Sequence, residues 1–133
     1  MPTTPITALC GHERCDPWQR RNSVLDEVGD VVLYLACDGS QHLFRDGNAN
    51  GLLVHWAGNG HWTLTRETHT STGEGDGEVW SLVPDAEPVC AGGPDGRGGY
   101  AARRLPTGRV ILRHDTQFGL LAKVARYYLR KER

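Results

Sequence analysis

Apolar and polar residues alternate on both sides of Gly58-Asn59-Gly60, and that pattern leaves little choice of local structure. Leu52, Val54 and Trp56 precede the turn, and Trp62 and Leu64 follow it. A period of two marks a half-buried strand. A short Gly-containing connection joins two such strands as a hairpin. With Ala57 opposite His61, Trp56 faces Trp62 and His55 faces Thr63. Leu52, Val54, Trp56, Trp62 and Leu64 then share one face, which is the expected core face. His55, His61 and Thr63 share the other. The two histidines become diagonal neighbours, about 7–8 Å apart. That is too far for a ring-to-ring hydrogen bond, yet near enough for both to border one site. A slip of one residue would exchange the faces, so the turn decides the register.

Other segments extend the pattern. Residues 31–37, 42–45, 78–83, 100–105 and 109–113 read as strands, separated by Gly, Pro and Asp turns. Asp16-Pro17 reads as the start of a short helix burying Trp18, Val24, Leu25 and Val28, with Gly29-Asp30 ending it. Asp115 is the expected cap of a C-terminal helix, whose buried stripe is Phe118, Leu121, Val124, Ala125, Tyr128 and Leu129. The fold class predicted is α+β: an antiparallel sheet of about five to six strands, a short N-terminal helix and a C-terminal amphipathic helix. Residues 1–133 form one domain, with residues 1–15 as a loose N-terminal segment and residues 84–99 as a long Gly/Pro loop holding Cys90.

Composition narrows the function. The net charge is -1, which gives no specific nucleic-acid signal, since such binders usually carry a basic excess. No apolar run has the length of a membrane span. The N-terminus lacks a signal-peptide pattern, so a cytoplasmic location is expected. Lys123, Arg126, Arg130, Lys131 and Arg133 make the end of the C-terminal helix basic. That end offers a surface to a membrane or a partner, although a solvated helix face is the simpler account.

Four cysteines are few for a disulfide scaffold and read as reduced thiols, metal ligands or a nucleophile. Cys10, His12 and Cys15 place three soft ligands close together, and Cys37, Cys90 or a distant histidine would complete a structural zinc site. The alternative is a loose segment with incidental thiols. Cys90 lies in the long loop after the hairpin, and His55 or His61 would be its activating base in a Cys-His hydrolase or acyltransferase. The competing account is two polar histidines on a solvated sheet face and a buried cysteine.

Gly29-Asp30-Val31-Val32-Leu33-Tyr34, followed by His55-Trp56-Ala57, resembles the H-box proteins. These include the lecithin retinol acyltransferase-like enzymes, related to NlpC-type papain folds, and the picornavirus 2A proteins of the H-box/NC type. The resemblance implies a papain-like, H-box-like fold with His55 as the activating histidine. It also implies an Asn-Cys motif at the start of the C-terminal helix. Asp115-Thr116 stands there instead, so Thr116 replaces the nucleophile. The resemblance therefore implies a degenerate, non-enzymatic member that binds a protein, such as a viral protein binding a host factor. The chain thus reads first as a protein-interaction domain. A Cys90 hydrolase or acyltransferase, and a binding module stabilised by one structural zinc, are the alternatives. Apart from that zinc, no cofactor is expected.

Overall fold

The computed structural model describes residues 24–36, 39–72 and 79–130. Nine strands and one helix follow one another: β1 Val24–Val28, β2 Val31–Leu35, β3 Gln41–Arg45, β4 Gly51–Gly58, β5 His61–Thr72, β6 Val79–Pro84, β7 Cys90–Pro94, β8 Tyr100–Arg104, β9 Arg109–His114 and α1 Gln117–Tyr128. All nine strands belong to one antiparallel sheet in the order β1-β2-β3-β4-β5-β7-β8-β9, with β6 also paired to β5. Strand β5 is long enough to serve two neighbours along one edge. Its first part pairs with β7 and its second part with β6.

The helix touches both end strands, β1 and β9, as well as β2, β3 and β8. The sheet therefore curls around it. Leu120, Leu121, Ala122, Val124, Ala125 and Leu129 bury against Val31, Leu33, Leu43, Leu52, Val54, Trp62, Leu64, Cys90 and Ala102. The apolar stripe of α1 and the alternation of the strands thus meet in one core. Among the described residues, no helix is long and apolar enough to cross a membrane.

This sheet is richer than the expected five to six strands, and two local reasons account for it. Val24, Leu25 and Val28 satisfy helical spacing but form β1 rather than an N-terminal helix. Gly29-Asp30 does not end a helix. It is the two-residue turn of the β1–β2 hairpin, closed by Val28↔Val31, with Gly29 at φ +58. Leu25 and Val28 are exposed in consequence. The N-terminal residues 1–23, with Trp18, lie outside the described residues. The second reason is β7, which occupies part of the loop expected over residues 84–99. A side chain at Gly92 would place its Cβ 2.4 Å from Trp62 Cζ2 and 2.9 Å from Ala101 O. Only glycine lets β7 and β8 approach under the Trp62 ring, and Gly92 pairs directly with Trp62. The architecture is therefore a curled, sheet-dominated α+β fold, not the papain-like or H-box-like arrangement expected.

The hairpin register is close to expectation, with His55↔Thr63 and Trp56↔Trp62 paired. At the turn, Gly58 rather than Ala57 pairs with His61, because a bulge lies between Trp56 and Gly58. Trp62 is in the core, but Trp56 is 42% exposed, contrary to its expected burial. Strand β3 begins at Gln41, opposite Val54, so Trp56 overhangs the end of that pairing. Its indole Nε1 donates to Gln41 Oε1 at 2.8 Å.

The opposite face of β2, β3 and β5 is buried as well. Val32, Tyr34, His42, Phe44, Thr65 and Glu67 are all nearly inaccessible there. Tyr34 meets Phe44 edge-on, and the His42 ring stacks on Phe44 with centroids 6.2 Å apart.

Candidate functional site

The residues singled out from the sequence do not form one site. His55, His61 and Thr63 do lie on one face, and both histidines are exposed. Cys90 pairs with Leu64, so its side chain points into the core on the other face. It is fully buried, and burial pushes its thiol up to about 12. A thiol held that way stays protonated and is a poor nucleophile. Among the described residues no hydrogen bond joins His55 or His61 to Cys90. Thr116 caps the helix in place of the expected Asp115: its Oγ1 accepts from Gly119 N at 3.1 Å and lies 3.2 Å from His114 Nδ1. Cys10, His12, Cys15 and Cys37 lie outside the described residues. Among the described residues, no group of three or more His, Cys, Asp or Glu is placed to hold a metal ion.

A different region gathers charge. Where the C-terminal end of α1 meets β5 and β8, a cleft of about 570 Å³ is lined by Arg66, Arg104, Arg130, Tyr127, Tyr128 and neighbours. Register explains the meeting. Arg66 is opposite Leu52 on the helix-facing side of β5, so it reaches α1. The Arg66 guanidinium sits 5.5 Å from the Tyr128 ring centroid, and that of Arg104 5.8 Å from the Tyr127 centroid. Arg104 Nη2 also donates to the Tyr127 hydroxyl. The two rings meet edge-on with centroids 4.9 Å apart. Tyr128 Oη donates to Val89 O at 3.1 Å, and burial raises its ionisation above the ordinary tyrosine value. Aromatic stacking therefore fixes two cations that would otherwise wander on long side chains.

Two carboxylates, Asp30 and Glu67, are engaged elsewhere. Asp30 binds Arg45 Nε at 2.9 Å and Arg126 Nε at 3.0 Å. Arg45 Nη1 in turn donates to Leu129 O at 3.1 Å, and Asn48 Nδ2 to Arg130 O at 2.7 Å. The negative end of the helix dipole is thus met by Arg45 and Asn48, not by the cleft arginines. Glu67 also borders the cleft, but its carboxylate turns to His42 on the opposite face. Among the described residues, no carboxylate pairs with Arg66, Arg104 or Arg130. The basic helix end is legible in the sequence but its partners are not, because Arg66 and Arg104 join it only through the β5-β7-β8 order.

A third constellation was not foreseen. His42 Nδ1 lies 2.6 Å from Glu67 Oε1, and His42 Nε2 lies 2.7 Å from Ser40 Oγ. His42 and Glu67 sit two strands apart, diagonally across Gly51 and Leu53 of β4. Gly51 allows this, since a Cβ there would fall 2.9 Å from the Phe44 ring that stacks on His42. Ser40 and His42 are two apart at the start of β3, which puts both on one face. The motif that would have signalled the site is Ser40-x-His42, too short to stand out. No protein-family model, no curated protein and no solved structure matches the chain.

Proposed function

We propose that this domain is a protein-interaction module whose docking site is the Arg66–Arg104–Arg130 cleft, and whose ligand is an acidic segment of a partner protein. The observation that carries the reading is three arginines without a carboxylate partner among the described residues, two of them held over Tyr127 and Tyr128. Fixed guanidiniums bind carboxylates with little further ordering cost and with paired donors. Tyrosine and arginine are also the residues most often dominant in protein interfaces. The net charge of -1 makes this a local patch on a balanced surface. A nucleic acid would be favoured by basic charge spread over a longer track.

The test is fluorescence anisotropy of a labelled Asp/Glu-rich peptide against the full chain. Binding that weakens with salt, and by at least about tenfold in the Arg66→Ala/Arg104→Ala double variant, supports the reading. No binding at low salt overturns it. So does tighter binding of oligouridylate than of the peptide, which would make the cleft a nucleic-acid site.

A further inference from the structure

The geometry of Ser40, His42 and Glu67 points to a second function, independent of the cleft: we propose that Ser40 is the nucleophile of a Ser-His-Glu site that hydrolyses carboxylic esters. The three residues are graded in exposure. Ser40 is half-exposed at the Ala36–Ser40 turn, while His42 and Glu67 are buried at 4% and 3%. Reagent would thus meet the serine first, with its base and orienting acid behind it.

The two distances accommodate a neutral His42 beside the Glu67 carboxylate. The Glu67 carboxylate only accepts, so the imidazole proton lies on Nδ1 and is donated to Oε1 at 2.6 Å. Nε2 is then the free lone pair of the ring, and the Ser40 hydroxyl donates to it at 2.7 Å. This is the tautomer that general-base activation of a serine requires. The ring is held by stacking on Phe44, so it is already oriented before substrate arrives.

A purely structural role explains the burial less well. A buried ion pair is seldom more stabilising than apolar residues of the same volume. In contrast, a nucleophilic role uses each of the three groups.

The reaction balances without a cofactor. Ser40 Oγ attacks the ester carbonyl carbon, its proton passes to His42 Nε2, and the carbonyl π pair moves to oxygen. Collapse breaks the bond to the leaving alkoxide, which takes the proton from Nε2 and departs as an alcohol. Water then attacks the acyl-serine, gives its proton to Nε2, and releases the acid as Ser40 Oγ regains its proton. Ester and water become acid and alcohol.

The experiment uses the full chain with a fluorophosphonate probe and p-nitrophenyl acetate. The expected result is probe attached to Ser40, mapped by mass spectrometry, and ester turnover that falls at least about 100-fold in Ser40→Ala. Glu67→Gln, which keeps the side-chain shape, should lower kcat by on the order of 10²–10⁴-fold with KM little changed. Arg109→Ala, an exposed change on β9, should leave turnover unchanged. Folded, unaltered protein with Ser40 unlabelled overturns the proposal, whatever the variants do. Turnover that persists in a folded Ser40→Ala overturns it as well, and assigns the activity to surface histidines.

Discussion

Asp30→Asn is expected to loosen the seat of α1 on the sheet. Asp30 lies in the first turn of the sheet and binds Arg45 on β3 and Arg126 on α1, one oxygen each, at 2.9 and 3.0 Å. Arg45 carries the effect onward to Leu129 O, and Arg126 to Val28 O at 2.9 Å. The asparagine keeps one acceptor but turns an amide donor toward the other guanidinium. Breaking a fully buried pair costs about 3–5 kcal/mol, whereas an exposed one is worth about 0–1. Asp30 is 22% exposed and Arg126 36%, so solvent screening pulls the value toward the lower range. A loss of about 1.5 kcal/mol follows, or roughly 5–7 °C in Tm for a domain of this size. Partial burial raises the Asp30 carboxyl, but hydrogen bonds from Arg45 and Arg126 outweigh it and hold the group below the ordinary carboxylate value. A depressed folded-state value means the stabilisation is complete above the unfolded value, about 3.9, and is lost as pH falls through the folded one. Urea titrations followed by tryptophan fluorescence should therefore show the full gap near pH 7 and a smaller one near pH 3. A gap near pH 7 of under about 0.5 kcal/mol would refute the coupling. A gap undiminished in acid would show that the lost term is not the charge.

Other expectations concern the core. Gly92→Ala should destabilise by about 2–3 kcal/mol, since the Trp62 ring it meets at 2.4 Å is buried and held by Gln117 Oε1 at 2.9 Å; a neutral urea titration would mean that the ring lies elsewhere. Trp62→Phe removes that hydrogen bond and much ring area, and about 2 kcal/mol should be lost in the same assay, with Gln117 still bonded to Gly60 O. Native Cys90 should resist Ellman's reagent near neutral pH and react once urea unfolds the chain, with peptide mapping to distinguish it from the other cysteines; rapid native labelling would contradict its burial.

How much of this was readable beforehand depended on the range of the interaction. The β4–β5 hairpin carries its own period and turn, so its register followed from local alternation, apart from the bulge at Ala57. The α1 stripe likewise repeats within a few residues. Strand β1 was misread because Val24, Leu25 and Val28 suit a helix face as well as a strand, and its fate is decided by pairing with β2. Strand β7 was missed because Cys90-Ala91-Gly92-Gly93-Pro94 has low strand preference, and a distant tryptophan selects its glycines. The Ser40–His42–Glu67 contact needs two correct strand registers at once, plus the missing side chain at Gly51. The arginine cleft needs the sheet order itself. The sites were therefore less legible than the elements that hold them.

The way α1 is fastened has a consequence for synthesis. Most strand pairs join sequence neighbours, so hairpins have partners soon after they leave the ribosome. The helix follows all nine strands, yet its polar ties reach back to Val28, Asp30 and Arg45. Until it arrives, the concave side of the sheet has no filling, and Leu43, Leu52 and Leu64 face water. The nascent domain thus passes through a stage as an open sheet with a greasy inner surface, and the helix that follows β9 acts as the stopper. A ribosome pause before residue 117, or a stop codon there, would leave a species prone to stick to its own copies.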